Sequence, residues 1–158
     1  MSEINNSFTF RGSKDNLKKF YDDIQKSYIT DADIDNYDEN WDSETELSIW
    51  FDGFNSFKEF VTKFKKKAKK HKVNFNCNVI SGWSLNGDMI VYTYRHKEDE
   101  LKEYPLLPSH IQQVVEIDDG ACVFNGITYQ DWDVPGVIEV VMIHHFYGQE
   151  NFNLAFDE

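Results

Sequence analysis

The sequence predicts one α+β domain spanning residues 1–158, with two main helices on a mostly antiparallel sheet. The expected architecture is a ferredoxin-like core with strands added toward the C-terminus. Three observations carry this. Two apolar stripes recur at helical spacing in the first half. Period-two alternation takes over from Val73. Asp-Gly and Asn-Gly pairs then punctuate the second half as turns.

In chain order, Ser7 to Arg11 alternates as a strand with Phe8 and Phe10 on one face. Gly12 ends it, and Ser13 is an N-cap residue. Leu17, Phe20, Tyr21, Ile24 and Tyr28 predict a helix over Lys14 to Tyr28. Thr30 to Glu46 is acidic, lacks any basic residue and is expected to be a loop. Leu47 to Phe51 follows as a strand, closed by Asp52-Gly53. Ser56 and Glu59 form the Ser-x-x-Glu signature of a helix start. Phe57, Phe60, Val61, Phe64 and Ala68 make its apolar stripe, which repeats the first helix's spacing 40 residues on.

Val73, Phe75, Cys77 and Val79 alternate with Asn74, Asn76 and Asn78, the pattern of a half-buried strand with a polar outer face. Asn86-Gly87 is a turn before a strand over Met89 to Arg95. Lys97 to Glu103 is expected to be a charged loop. Ile111 to Ile117 fits either a helical turn or a strand. Asp119-Gly120 and Asn125-Gly126 predict a meander of short strands, and Val137 to Phe146 a last strong strand. The residues after Gly148 fit a frayed tail or an edge strand through Phe152, Leu154 and Phe156.

The opening Phe8-Thr9-Phe10-Arg11-Gly12-Ser13-Lys14-Asp15-Asn16-Leu17-Lys18-Lys19-Phe20 resembles the start of small ferredoxin-like domains in phage and plasmid accessory proteins. The resemblance covers about 20 residues. It implies a mobile-element origin and carries over no functional residue.

The net charge of −12 opposes non-specific binding to nucleic acid or anionic membranes. Met1 to Asn6 lacks the basic start and apolar stretch of a signal peptide. No apolar run reaches the roughly 18 residues that span a bilayer. The expectation is a cytoplasmic protein. Cys77 and Cys122, in apolar runs without CxxC spacing, are expected as small buried hydrophobes.

The sharpest motif is Asp31-Ala32-Asp33-Ile34-Asp35-Asn36-Tyr37-Asp38-Glu39-Asn40-Trp41-Asp42. Its oxygens fall at the ligand positions of an EF-hand calcium loop: Asp31, Asp33, Asp35, the Tyr37 carbonyl, Glu39 and Asp42. Asn36 stands where that loop has Gly, and Asp42 where it has Glu. The other readings of this stretch are a solvated acidic segment and an imitation of a nucleic-acid backbone, which needs densely spaced negative charge. The opposite outlier is the second helix. Lys58, Lys63, Lys65, Lys66, Lys67, Lys69, Lys70 and Lys72 place half of the 16 basic residues in 15 positions. A solvated face with lysines favoured at the helix C-terminus accounts for them. A contact to phosphate or to an acidic partner is the alternative.

Catalytic signatures are missing: the sequence contains no Gly-x-Ser-x-Gly, no phosphate-binding glycine loop and no His-Glu-x-x-His. His71 and His96 stand in charged contexts that predict exposure, and His144 and His145 would face opposite ways on a strand. Asp131 and Asp133 flank Trp132 in a turn-rich stretch. Trp41 and Trp83 are expected to be partly exposed.

The expected function is therefore non-enzymatic, with no cofactor. An acidic face of Asp31, Asp33, Asp35, Asp38, Glu39, Trp41, Asp42, Glu44 and Glu46 would bind a protein with a basic surface, as an inhibitor that occupies the groove of a nucleic-acid-handling protein. No direct contact with nucleic acid or membrane is expected. The alternatives are a calcium-binding module on Asp31–Asp42 and an enzyme with an unrecognised site.

Overall fold

Phe8 and Phe10 point the same way from the first strand, and the rest of the larger core assembles around them. In the computed structural model, residues 4–26, 34–53, 57–81, 89–118, 120–130 and 137–156 are described. Strand β1 is Ile4–Arg11 and helix α1 is Lys14–Ile24. Ser13 caps α1, its hydroxyl accepting from the Asn16 amide at 3.3 Å. Strands β2, Ile34–Ser43, and β3, Glu46–Gly53, form a hairpin. Helix α2 is Phe57–His71, followed by β4, Asn74–Ser81. Strands β5, Ile90–Arg95, and β6, Glu100–Pro105, complete a six-stranded antiparallel sheet ordered β2-β3-β1-β4-β5-β6.

Period-two alternation sends Phe8, Phe10, Leu47, Ile49, Phe51, Phe75, Cys77 and Val79 to one face of this sheet. Leu17, Phe20 and Ile24 of α1 and Val61, Phe64 and Ala68 of α2 close over that face. Phe64 meets Phe8 edge-on at 4.8 Å between ring centroids, a favoured aromatic geometry. Lys72 ends α2 in a left-handed conformation (φ 58°), and the Val73 amide then donates back to the Ala68 carbonyl at 2.8 Å.

The second half builds another core on the opposite face. A short helix α3, Pro108–Ile111, leads into β7, Val115–Asp118; β8, Ala121–Phe124, and β9, Ile127–Gln130, complete a three-stranded sheet. Asn125 and Gly126, both at positive φ, make the expected tight turn between β8 and β9. Helix α4, Val137–Tyr147, touches β6 on one side and β8 and β9 on the other. Its Ile138, Met142 and Ile143 pack with Met89, Val91, Leu106, Cys122 and Phe124.

Three expectations are corrected and one open reading is resolved. Within the stretch expected as a loop from Thr30 to Glu46, Ile34–Ser43 is a strand, because pairing with β3 supplies what its acidic composition does not. The charged stretch Lys97 to Glu103 is a turn followed by β6, held by pairing with β5. The run Val137 to Phe146 is helical, because both of its sides are covered by sheet. Ile111 to Ile117 resolves into the end of α3 and then β7. Ser56, Trp83, Asn86-Gly87 and Asp131 to Asp133 lie outside the described residues, as does the side chain of Glu59.

The segment after Gly148 is neither frayed nor a strand. It forms one 3₁₀ turn, Gln149–Phe152, and then runs across the outer face of β4 and β5. Asn76 Nδ2 donates to the Leu154 carbonyl at 3.0 Å, and Asn78 Nδ2 to the Phe152 carbonyl at 2.7 Å. Arg95 fastens the segment by donating to the Asn151 carbonyl (2.9 Å), while also holding the Cys77 carbonyl and Asn78 Oδ1. Asn76 is consequently buried, although alternation alone assigns it to solvent.

Candidate acidic interface

The outermost strand of the main sheet is also its most acidic. Asp35, Asp38, Glu39, Asp42, Glu44, Glu46 and Asp52 all lie between residues 34 and 53, with no Lys, Arg or His among them. Strand geometry divides the described side chains between two faces. Tyr37, Glu39 and Trp41 look toward α1: Tyr37 packs on the core, Glu39 hydrogen-bonds Tyr21, and Trp41 meets the Tyr21 ring edge-on at 5.5 Å. Asp42 looks the other way, where Ser48 Oγ donates to Oδ2 (2.7 Å) and Asn40 Nδ2 to Oδ1 (2.6 Å).

Burial and then the Glu39 carboxylate push the Tyr21 phenol up to about 12. Tyr37 is pushed up as well, by burial and then by the charges of Tyr21 and Glu39. Gln25 Nε2 donates to both hydroxyls, at 2.7 Å to Tyr21 and 3.0 Å to Tyr37, fixing β2 against α1.

Asp38, Glu39, Trp41, Asp42 and Glu44 are exposed, and Glu46 is half-buried at the base of the hairpin. Asp31 and Asp33 lie outside the described residues; Asp35 has its backbone in β2, and its side chain lies outside them. Glu39 and Asp42 point to opposite faces, so they do not converge on one ion. Among the described residues, no three His, Cys, Asp or Glu side chains form a cluster that fits a metal.

Three lysines of α2 turn to acids outside the hairpin. Lys67 and Lys70 reach Asp23 at 3.0 and 3.6 Å, and Lys65 reaches Asp99 at 2.8 Å. His71 is not exposed as expected: it lies against Asp23, 2.8 Å away, with its side chain 16% accessible. On the hairpin, Lys14 meets Glu44 at 3.3 Å with both side chains exposed, a pairing that contributes little. His144 and His145 are one helical step apart on α4, not on opposite strand faces; His144 packs on Phe152 and His145 on Phe124.

Two surface residues go beyond the sequence expectation. Trp50 is 37% exposed, on the face away from the helices, and donates to Asn5 Oδ1 at 3.0 Å. Alternation within Leu47 to Phe51 was the signal, since Leu47, Ile49 and Phe51 claim the core face. Tyr21, counted in the helix stripe, packs against the core and also walls a groove of about 620 Å³ with Trp41, Lys14, Lys18, Asp22, Ser43 and Glu44. A smaller polar cavity of about 270 Å³ lies under the C-terminal segment, bordered by Thr93, Arg95, Lys102 and Tyr104.

The chain matches no protein-family model, no curated protein and no solved structure. Among the described residues, no helix is long and apolar enough to cross a membrane.

Proposed function

We propose that this chain is a non-enzymatic binding protein whose β2–β3 hairpin occupies a basic surface on a protein partner. The observation that carries this reading is the hairpin's composition and placement: seven carboxylates, no cation, at the edge of the sheet. Lys65, Lys67 and Lys70 of α2 are engaged by Asp99 and Asp23 rather than by the hairpin. Trp41 and Trp50, 40% and 37% exposed, add large apolar area beside the carboxylates, the residue type that anchors protein interfaces. The concrete form is an inhibitor or accessory factor, of phage or mobile-element type, that competes for the phosphate-binding groove of a nucleic-acid-handling protein.

The finer architecture belongs to the same reading. A β1-α1-β2-β3-α2-β4 succession with strand order β2-β3-β1-β4, both helices on one face, supports a ferredoxin-like core extended by β5 and β6.

The test is affinity capture with the wild-type chain and with a triple variant, Asp38→Asn, Asp42→Asn, Glu44→Gln. A partner that the wild type retains and the variant loses is expected. Its retention should fall with added salt, because exposed charges are screened within about 8–10 Å at physiological ionic strength. A partner kept equally by both proteins, or held independently of salt, would overturn the reading.

A further inference from the structure

We propose, building on the acidic-hairpin reading, that the partner docks as an added strand: an extended segment with alternating basic and apolar residues pairs with the open edge of β2.

Three independent features meet at that edge. The first is backbone. β2 ends the sheet and pairs only with β3 among the described residues. An edge strand presents unpaired N–H and C=O groups, the template for strand addition. Register breaks fall at Ile34/Asn36 and at Trp41/Ser43, so Asn36 to Trp41 stays in unbroken register between them. Bulges bend a strand at its ends and confine pairing to the stretch they bracket.

The second is charge. A strand added beside β2 sends alternate side chains to each face of the sheet. On the face away from the helices its neighbours are Asp38, Asn40 and Asp42, so Lys or Arg fits there. A second copy of the chain is the wrong occupant, because edge-to-edge pairing would bring the Asp38, Glu39 and Asp42 carboxylates of one copy beside those of the other, and like charges across a strand pair repel.

The third is shape. On the helix face the same segment would pass the groove between α1 and the end of β2, walled by Tyr21 and Trp41 and by Lys14 and Lys18. The groove's aromatic rings take an apolar side chain. One strand can place a cation on one face and an apolar group on the other only by alternating them.

The experiment uses two capped peptides of equal composition. In one, Lys alternates with Val and Phe; in the other, the lysines form one block. Binding is followed by Trp fluorescence, and amide exchange over residues 36–41 by NMR. The alternating peptide is expected to bind at least about tenfold more tightly and to slow every second amide between Asn36 and Trp41 by about tenfold or more. Trp41→Ala, its fold checked by circular dichroism, should remove that preference. Equal binding of both peptides with no slowed amide would overturn the strand-addition inference and leave the acidic-surface reading standing. Failure of both peptides to bind at low salt would overturn both.

Discussion

His71 Nε2 lies 2.8 Å from Asp23 Oδ2, joining the last residue of α2 to the last turn of α1. Lys67 Nζ approaches the other oxygen of the same carboxylate at 3.0 Å. An acid near a helix C-terminus is unfavourable by itself; here α2 supplies the compensating donors. Asp23→Asn keeps the shape and removes the charge. It should destabilise the fold by about 1–3 kcal/mol, the range for charge-assisted hydrogen bonds. Lys70→Ala, at an exposed side chain 3.6 Å away, should be nearly neutral. Urea denaturation of both variants checks the contrast; equal effects would refute it.

Lys72 adopts φ 58° where α2 ends, a conformation that costs a non-glycine residue about 1–2 kcal/mol. Lys72→Gly should therefore stabilise the protein by about 1 kcal/mol, less the small helix-dipole contribution of the lysine. For a chain of this size that is about 2–4 °C in Tm by calorimetry. A lower Tm would mean that the lysine makes a contact worth more than the strain.

Arg95 holds four acceptors at once: the Cys77, Tyr94 and Asn151 carbonyls and Asn78 Oδ1. A lysine cannot span that fork. Arg95→Lys should release residues 149–156 first, seen as faster proteolysis near Asn151 and faster amide exchange in the segment. Global stability should fall by about 2–3 kcal/mol, because buried acceptors lose their donors. Uniform acceleration of exchange across the whole chain would argue against a local clamp.

Alkaline pH should act through the phenols beneath β2. Tyr21, ordinarily near 10, is pushed up to about 12 by burial and by Glu39. Tyr37 shifts the same way. The folded state then keeps protons that the unfolded chain has released, so stability present below pH 10 declines as pH rises through 12. Denaturant midpoints measured between pH 10 and pH 12 should fall, and less steeply in Tyr37→Phe. An unchanged slope in that variant would place the effect elsewhere.

Local patterns that coincide with burial were legible in the sequence. The alternation around Phe8 and Phe75, the Ser13 cap and the Asn125-Gly126 turn each follow from chemistry within a few residues. Strand β2 was not legible, because Asp and Asn are poor strand formers and its partner β3 lies beyond the hairpin turn. Its alternating Tyr37, Glu39 and Trp41 would have given it away only to a reader accepting a glutamate on an inner face. Helix α4 is not legible because the apolar residues of Val137 to Phe146 fall all round a helix, with Glu139, His144 and His145 marking no continuous polar face, so the run carries no period to read; its ten-residue length is the better signal. The acidic residues were visible as a cluster. Their division between two faces required the strand.

Helix α4 lies between two sheets, and its position has a consequence for how the chain is made. Among the described residues, the cluster around Phe8 and Phe64 draws on nothing after Leu101, so it can close while the ribosome is still adding residues. Met89, Val91 and Leu106 have no such opportunity, since Ile138, Met142 and Ile143 are translated some thirty residues or more behind them. Throughout that interval the nascent chain carries a finished half with one oily side uncovered. Chaperone capture and misassembly should concentrate there, and slow codons ahead of residue 137 would lengthen the exposure.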